Sequence, residues 1–170
     1  MDSPLARPVN AFIDVVAPVL IELVAGLTPT PSDASSGGRK LREDEHLGDK
    51  LLEDIGLEAL NLVAAFIDSD GRHTDDELWA FVHVFAGRFD TVARAASPDA
   101  LRSAGLLTGR RAFLDAPSSL FDVLVRADVR SGTDHAWRYY LGAVDIAHAV
   151  FSLDDYPSHA ELTSVERFRT

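Results

Sequence analysis

The chain contains no cysteine, which excludes disulfide bonds, thiolate metal ligands and cysteine nucleophiles. It also lacks an uninterrupted apolar run of about 20 residues, the length that a membrane-spanning helix needs. The most apolar stretch, 11–27, is broken by Asp14, Pro18 and Glu22. The N-terminal residues show no signal-peptide pattern. We therefore expect a soluble protein with no membrane partner, located in the cytoplasm.

Basic residues are scarce relative to acidic ones. The 16 Lys and Arg residues face 27 Asp and Glu residues, and the formal net charge is −11. Such a surface repels the phosphate backbone, so we expect no nucleic-acid binding. It favours cations and protein partners with a basic surface.

Motifs of common enzyme classes are missing as well. The sequence has no glycine-rich phosphate loop, no Gly-x-Ser-x-Gly and no His-Glu-x-x-His. We therefore predict a protein that is not an enzyme. A metal-dependent hydrolase is the catalytic alternative, and it would require ligands that converge on a metal with an open coordination position.

Apolar residues recur at steps of three and four along most of the chain, and no strand-like alternation occurs. This pattern predicts an all-α fold, a compact bundle of about seven helices. The longer helices are expected at about 11–27 after an Asn10 cap, at 49–67, at 75–95, and at 134–153 after a Thr133 cap. Shorter helices are expected at 98–104 after Ser97 and from Ser118 or Ser119 to about 129. In the 134–153 helix, Arg138 and Tyr139 are expected to face outward, and the residues expected to face the core are Trp137, Tyr140, Leu141, Val144, His148 and Phe151.

The segment 28–49 is rich in Pro, Ser and Gly and then in charged residues. We predict a flexible loop here, whose charged part is either mobile or a weak exposed helix. A last amphipathic helix is expected after Ser158, and its apolar stripe is unfinished at Arg169. We therefore expect residues 1–170 to form one domain, the N-terminal domain of a longer protein; a fused ATPase is one candidate for the rest.

Two segments of the chain match each other. Each has an apolar helix, then Asp-Gly or Asp-Asp, a hydroxyl residue, and Glu three residues later. The first runs through Asp70, Gly71, Thr74 and Glu77, and the second through Asp154, Asp155, Ser158 and Glu161. This pattern predicts a pseudo-repeat of two helix–acidic turn–helix units.

The acidic turns have two interpretations. Thr74-x-x-Glu77 and Ser158-x-x-Glu161 both fit a capping box, in which the hydroxyl and the glutamate satisfy backbone N–H groups at a helix start. Alternatively, five carboxylates lie between Asp68 and Glu77, a density of oxygen ligands that suits Ca²⁺ or Mg²⁺. An EF-hand is rejected, because Trp79 stands where the loop needs its twelfth-position Glu. His73 and His159 flank the two turns and are secondary candidate ligands.

The paired motif resembles the TerB-like family, first associated with tellurite resistance. The resemblance covers approximately 51–169, and its second copy is degenerate because Asp155 replaces the glycine. It implies a helical bundle that binds metal ions and acts as an adaptor in stress-response complexes. Carried over by motif position, the metal ligands would be Asp70 and Glu77, then Asp154 and Glu161; Asp68 joins them from the carboxylate cluster.

Three functional hypotheses follow. The first is a non-catalytic adaptor or regulatory domain whose acidic turn binds a divalent cation, a basic partner protein, or both. The second is a structural or oligomerisation domain, such as a homodimer formed through the apolar N-terminal helix Phe12–Leu27, with the carboxylates as caps. The third is the metal-dependent hydrolase.

Overall fold

The computed structural model describes residues 3–27 and 37–153, with side-chain detail for 3–24 and 47–153. Within these ranges the chain forms seven α-helices and a short 3₁₀ helix at Arg110–Leu114, and no strand. The all-α prediction is therefore confirmed. The helices are α1 (Ala6–Leu27), α2 (Gly37–Ile67), α3 (Asp75–Phe85), α4 (Asp90–Arg94), α5 (Pro98–Ala104), α6 (Ser119–Ser131) and α7 (His135–Phe151).

The first two helices begin earlier than the sequence predicts. Helix α1 starts at Ala6, so Asn10 is inside it and does not cap it; the Asn10 amide oxygen instead accepts from Arg88 at 3.0 Å. The helix is continuous through Pro18. Helix α2 starts at Gly37, so residues 37–49 of the predicted flexible loop are helical, while 28–36 lie outside the described residues.

Helix α3 is shorter than predicted. It ends at Phe85, and a new helix, α4, begins at Asp90. Gly87, a weak helix former, lies in the turn between them. Helix α5 opens as expected, with Pro98 at its first turn and the Ser97 hydroxyl accepting from Ala100 N at 3.3 Å.

The cap of α7 comes from α6 and not from Thr133. The Asp128 carboxylate accepts from His135 N at 2.9 Å and from Ala136 N at 2.8 Å, the free N–H groups of the first turn of α7. The Thr133 hydroxyl donates to the same carboxylate at 2.6 Å. Desolvation raises the pKa of Asp128, but the hydrogen bonds from Thr133, Ala136 and His135 outweigh it, so the pKa lies below its ordinary value.

Helices α1, α2 and α7 pack against one another in pairs and form the centre of the bundle. Helix α6 packs on α7, and the 3₁₀ helix packs on α2. Helices α1 and α7 meet at Gly142, where an added Cβ would lie 2.9 Å from Phe12 Cδ2. The Phe12 ring also packs edge-on against Tyr139, with 5.1 Å between ring centroids. No described helix is long and apolar enough to cross a membrane.

The predicted core face of α7 is wrong at most of its positions, although Phe151 is buried as expected. Trp137 is 57% exposed, Leu141 is 45% exposed and His148 is exposed, whereas Tyr139 is buried. The core is instead contacted by a neighbouring stripe of the helix, in which aromatic side chains stand at the ends and smaller ones between them. This stripe comprises Tyr139, Ala143, Ile146, Ala147, Val150 and Phe151.

Candidate functional site

The predicted acidic turn connects α2 to α3, and its geometry is set by the backbone conformation of a glycine and by a local hydrogen bond. Gly71 has φ 73°, a left-handed conformation that glycine adopts without steric cost. Asp70 Oδ1 accepts from Arg72 N at 2.8 Å, closing an Asx turn. The turn therefore stops α2 and redirects the chain into α3.

Glu77 is committed to the start of α3. Its Oε2 accepts from Thr74 N at 2.8 Å and from the Thr74 hydroxyl at 2.9 Å, and the Thr74 hydroxyl accepts from Glu77 N at 3.4 Å. These contacts form the complete capping box that the motif predicts. The Glu77 side chain is only 1% exposed.

Asp68 also serves the fold from a buried position. Its Oδ1 lies 3.0 Å from His73 Nε2, and its Oδ2 accepts from Arg111 N at 3.1 Å. The turn thus connects the end of α2 to the 3₁₀ helix.

Arg102 of α5 adds hydrogen bonds to Asp75 and to His73 O. The hydrogen bond with Asp75 is the largest cause that raises the Arg102 pKa above its ordinary value, against a smaller opposing effect of desolvation.

These contacts bear on the predicted metal ligands. The described part of the chain contains no group of three or more His, Asp and Glu side chains that could hold a metal ion. Asp154, Glu161 and the secondary ligand His159 lie outside the described residues, as does the rest of the second acidic turn. The cation site therefore stays a prediction, whereas the capping interpretation of the first turn is observed.

A buried carboxylate that the sequence analysis did not single out lies at the junction of three helices. Glu58 of α2 accepts hydrogen bonds from the Tyr139 hydroxyl of α7 at 2.6 Å and from the hydroxyl of Ser118, the N-cap of α6. Burial first, and then the nearby Glu58 carboxylate, raise the Tyr139 pKa well above its ordinary value, so the phenol stays a donor. This network links α2, α6 and α7, and both Glu58 and Tyr139 are buried, so we interpret it as structural.

An open cleft of about 590 Å³ lies between α1 and α7. That volume is in the range of pockets that accept ligands. Helix α1 contributes residues at helical spacing from Pro8 to Glu22, and α7 contributes residues from His135 to Asp145. The apolar part of the lining includes Ala11, Val15, Pro18, Val19, Leu141 and Gly142.

Three carboxylates ring this cleft: Asp14 and Glu22 on α1, and Asp145 on α7. None of them makes a hydrogen bond or ion pair with any other residue in the described ranges. The cleft's one arginine, Arg138, is already paired, with its Nε 2.9 Å from Asp134 Oδ1. The cleft therefore presents apolar surface together with uncompensated negative charge.

The outer face of α7 continues the apolar part of the cleft. Trp137 lies one helical turn before Leu141, and its ring stacks on Tyr140 with 5.2 Å between centroids and 23° between planes. Helix α7 thus has two apolar faces, and only one of them packs into the core. The Trp137–Leu141 spacing carries the sequence signal for this site, but the same spacing predicts that this face points inward.

Comparison of the chain with protein-family models, curated proteins and solved structures finds no match, so the resemblance to the TerB-like family stays a prediction.

Proposed function

We propose that this domain is a non-catalytic adaptor module that binds a partner protein on the surface formed by the α1–α7 cleft and the outer face of α7, hereafter the docking surface. One observation carries the proposal: Trp137 and Leu141 expose apolar area beside an open cleft, and neither belongs to the buried core of the described residues. Contiguous exposed apolar surface with a polar rim is typical of protein-interaction sites. Tryptophan is also enriched among the residues that dominate binding energy.

The charge of the docking surface selects among partners. Asp14, Glu22 and Asp145 would repel an acidic partner and would be compensated by a basic one. This agrees with the net charge of −11 and supports a partner protein with a basic surface. A second copy of the chain would bring the same acidic rim against itself, which disfavours a homodimer at this surface.

The adaptor class agrees with what the TerB-like resemblance implies, a place in stress-response complexes, and we place these complexes in the cytoplasm. The proposal does not require an ion in the acidic turn. Four of the five carboxylates of that turn have structural partners, namely Asp68, Asp70, Asp75 and Glu77, whereas none of those of the docking surface has one among the described residues. Binding therefore belongs to the α1–α7 side of the molecule.

Site-specific photo-crosslinking in the native cells tests the proposal. A photoreactive phenylalanine analogue replaces Leu141 in one variant and Trp79 in a control, since Trp79 is 52% exposed and does not line the cleft. We expect one partner protein to be crosslinked from position 141 and not from position 79. The purified partner should bind the wild-type domain, and Trp137→Ala should weaken binding by about tenfold or more while Trp79→Ala should not.

Three results would contradict the proposal. Crosslinks only between copies of this chain would identify the docking surface as a homodimer interface. Equal crosslinking from positions 141 and 79 would show that the partner does not bind selectively at the docking surface. An absence of crosslinked protein from position 141 would show that the surface has no partner.

A further inference from the structure

We infer that the occupant of the docking surface is an amphipathic α-helix with an apolar stripe flanked by lysine or arginine. This inference rests on the proposed function and specifies the conformation and charge of the partner segment.

The shape of the cleft matches a helix. The lining of α1 extends from Pro8 to Glu22, a rise of about 21 Å for an α-helix, and this length corresponds to about four helical turns. Two helices side by side offer a groove into which the side chains of a third helix can pack. The occupant would thus lie along α1 and α7 as an additional helix of the bundle.

Backbone hydrogen bonding also favours a helical occupant. The groove is walled by helices, whose own backbone groups are paired within each helix, and the described ranges contain no strand edge. An extended peptide would therefore find few backbone partners in the groove, and its buried N–H and C=O groups would be left unpaired. A helix satisfies these groups internally and presents only side chains.

The three carboxylates of the groove are acceptors that need donors, and its one arginine, Arg138, is already paired with Asp134. Asp14, Glu22 and Asp145 have no partner among the described residues. Pro18 has no N–H, so α1 cannot supply the Asp14 carbonyl with its usual donor four residues ahead. Lysine and arginine carry donors and no acceptors, and both have long apolar stems that can pack beside Val15 and Leu141.

Alternative occupants fit these features less well. Anionic membrane surfaces would be repelled by the three carboxylates. An acidic helix would add like charges in a partly desolvated groove. A small apolar molecule would leave the carboxylates and the exposed Trp137 face unused.

The test is a display selection against the wild-type domain with a library of helix-forming segments of about 14 residues, the length of the groove. Apolar, acidic, basic and polar residues are encoded equally at the variable positions, and a proline-containing library of the same length represents extended segments. We expect enriched clones to come from the helical library, to carry apolar residues at steps of three and four, and to have an excess of Lys and Arg.

Selected peptides are then titrated by fluorescence, using a Trp79→Phe variant in which Trp137 is the sole tryptophan. We expect saturable binding that changes Trp137 emission. The triple variant Asp14→Asn/Glu22→Gln/Asp145→Asn should weaken binding by about tenfold or more, and raising the salt concentration should weaken binding to the wild-type domain. A control variant, Glu53→Gln/Asp54→Asn/Asp115→Asn, removes three exposed carboxylates that do not line the cleft and should bind like the wild type.

The outcomes separate the two proposals. Binders that depend on Trp137 but lack basic residues, or that come from the proline library, would overturn this inference and leave the docking surface intact. Binding of the domain to zwitterionic lipid vesicles as tightly as to the selected peptides would also overturn this inference. If no clone is enriched, the inference fails, while the crosslinks from position 141 still decide the proposed function independently.

Discussion

Thr74 is a single residue on which the start of α3 depends, since its backbone and hydroxyl make all three hydrogen bonds of the capping box with Glu77. We predict that Thr74→Ala lowers the free energy of unfolding by about 1–2 kcal/mol. The loss of the hydroxyl removes both an acceptor for Glu77 N and a donor to the buried Glu77 carboxylate. Urea unfolding in EDTA measures the change, with Thr91→Ala, at an exposed position, as the control.

Thermal melts of the wild type and of Asp70→Asn decide whether the turn also binds an ion. A cation that binds only the folded turn raises the melting midpoint as its concentration rises. If the sequence-based cation hypothesis is correct, millimolar Ca²⁺ or Mg²⁺ raises the midpoint of the wild type and Asp70→Asn abolishes the rise. An unchanged midpoint would contradict that hypothesis and leave the turn as a cap.

Asp128 makes the stability of the α6–α7 junction dependent on pH. Because its folded-state pKa is below the ordinary value of 3.8, its contribution is fully present above that value and is lost as pH falls through the folded-state pKa. We predict that Asp128→Asn destabilises the domain by about 1–2 kcal/mol at neutral pH, since three charge-assisted hydrogen bonds are weakened. Below pH 4 the difference in free energy of unfolding between the variant and the wild type should become smaller.

Unfolding curves from about pH 7 down to pH 2.5 check this prediction across the window that the lowered pKa defines. Asp122→Asn is the control on the same helix, because its exposed carboxylate makes no hydrogen bond or ion pair within the described ranges. If the difference in free energy of unfolding stays constant with pH, the contribution of Asp128 to stability does not depend on its charge.

The close approach of α1 and α7 depends on the missing side chain of Gly142. We predict that Gly142→Ala destabilises the domain by about 1–3 kcal/mol, since the new Cβ would lie 2.9 Å from the buried Phe12 ring and force a shift. Gly56→Ala is the matched control within α2: its Cβ would meet Phe89 Cζ at an ordinary 3.5 Å, so the better helix propensity of alanine should make it neutral or stabilising by up to about 1 kcal/mol. Equal effects at both positions would contradict the close-contact argument.

At the scale of an element, helix α7 shows what sequence periodicity predicts and what it does not. Its existence and approximate bounds followed from the apolar spacing, but its orientation did not, because apolar residues occupy two faces. Trp137 and Leu141 look like core residues by size, yet the core uses Tyr139 and small alanines instead. Tyr139 can be buried because its hydroxyl meets Glu58, 81 residues away, a pairing that local patterns do not contain.

This orientation leads to a direct prediction about stability. Leu141→Ser should change the free energy of unfolding by less than about 1 kcal/mol, since the side chain is 45% exposed and the core does not need it. Ile146→Ala should cost about 2–5 kcal/mol, because it leaves a cavity at a fully buried position. Chemical denaturation of both variants measures the difference. A large loss for Leu141→Ser with a small one for Ile146→Ala would favour the inward face that the sequence predicts.

At the scale of the whole molecule, the capping turn was predictable and the docking surface was not. The capping box is local, since Thr74 and Glu77 are three residues apart and read directly as a motif. The docking surface combines Asp14 and Val15 with Leu141 and Asp145, residues from opposite ends of the described chain. Only the packing of α1 on α7 brings them together, so no single segment of sequence carries the site.

The concentration of unpaired carboxylates on one side of an acidic molecule should cost stability. At low ionic strength, about 0.01 M, charges interact over about 30 Å, so Asp14, Glu22 and Asp145 experience the repulsion of the whole negative surface. We predict that Asp14→Asn/Glu22→Gln/Asp145→Asn, which changes the net charge from −11 to −8, melts higher than the wild type at low salt and converges with it near 1 M salt. The same variant should bind basic helices more weakly. Such opposite changes in stability and binding are expected of residues kept for function. If the variant instead melts lower at low salt, these carboxylates stabilise the fold, and their presence at the cleft needs no partner to explain it.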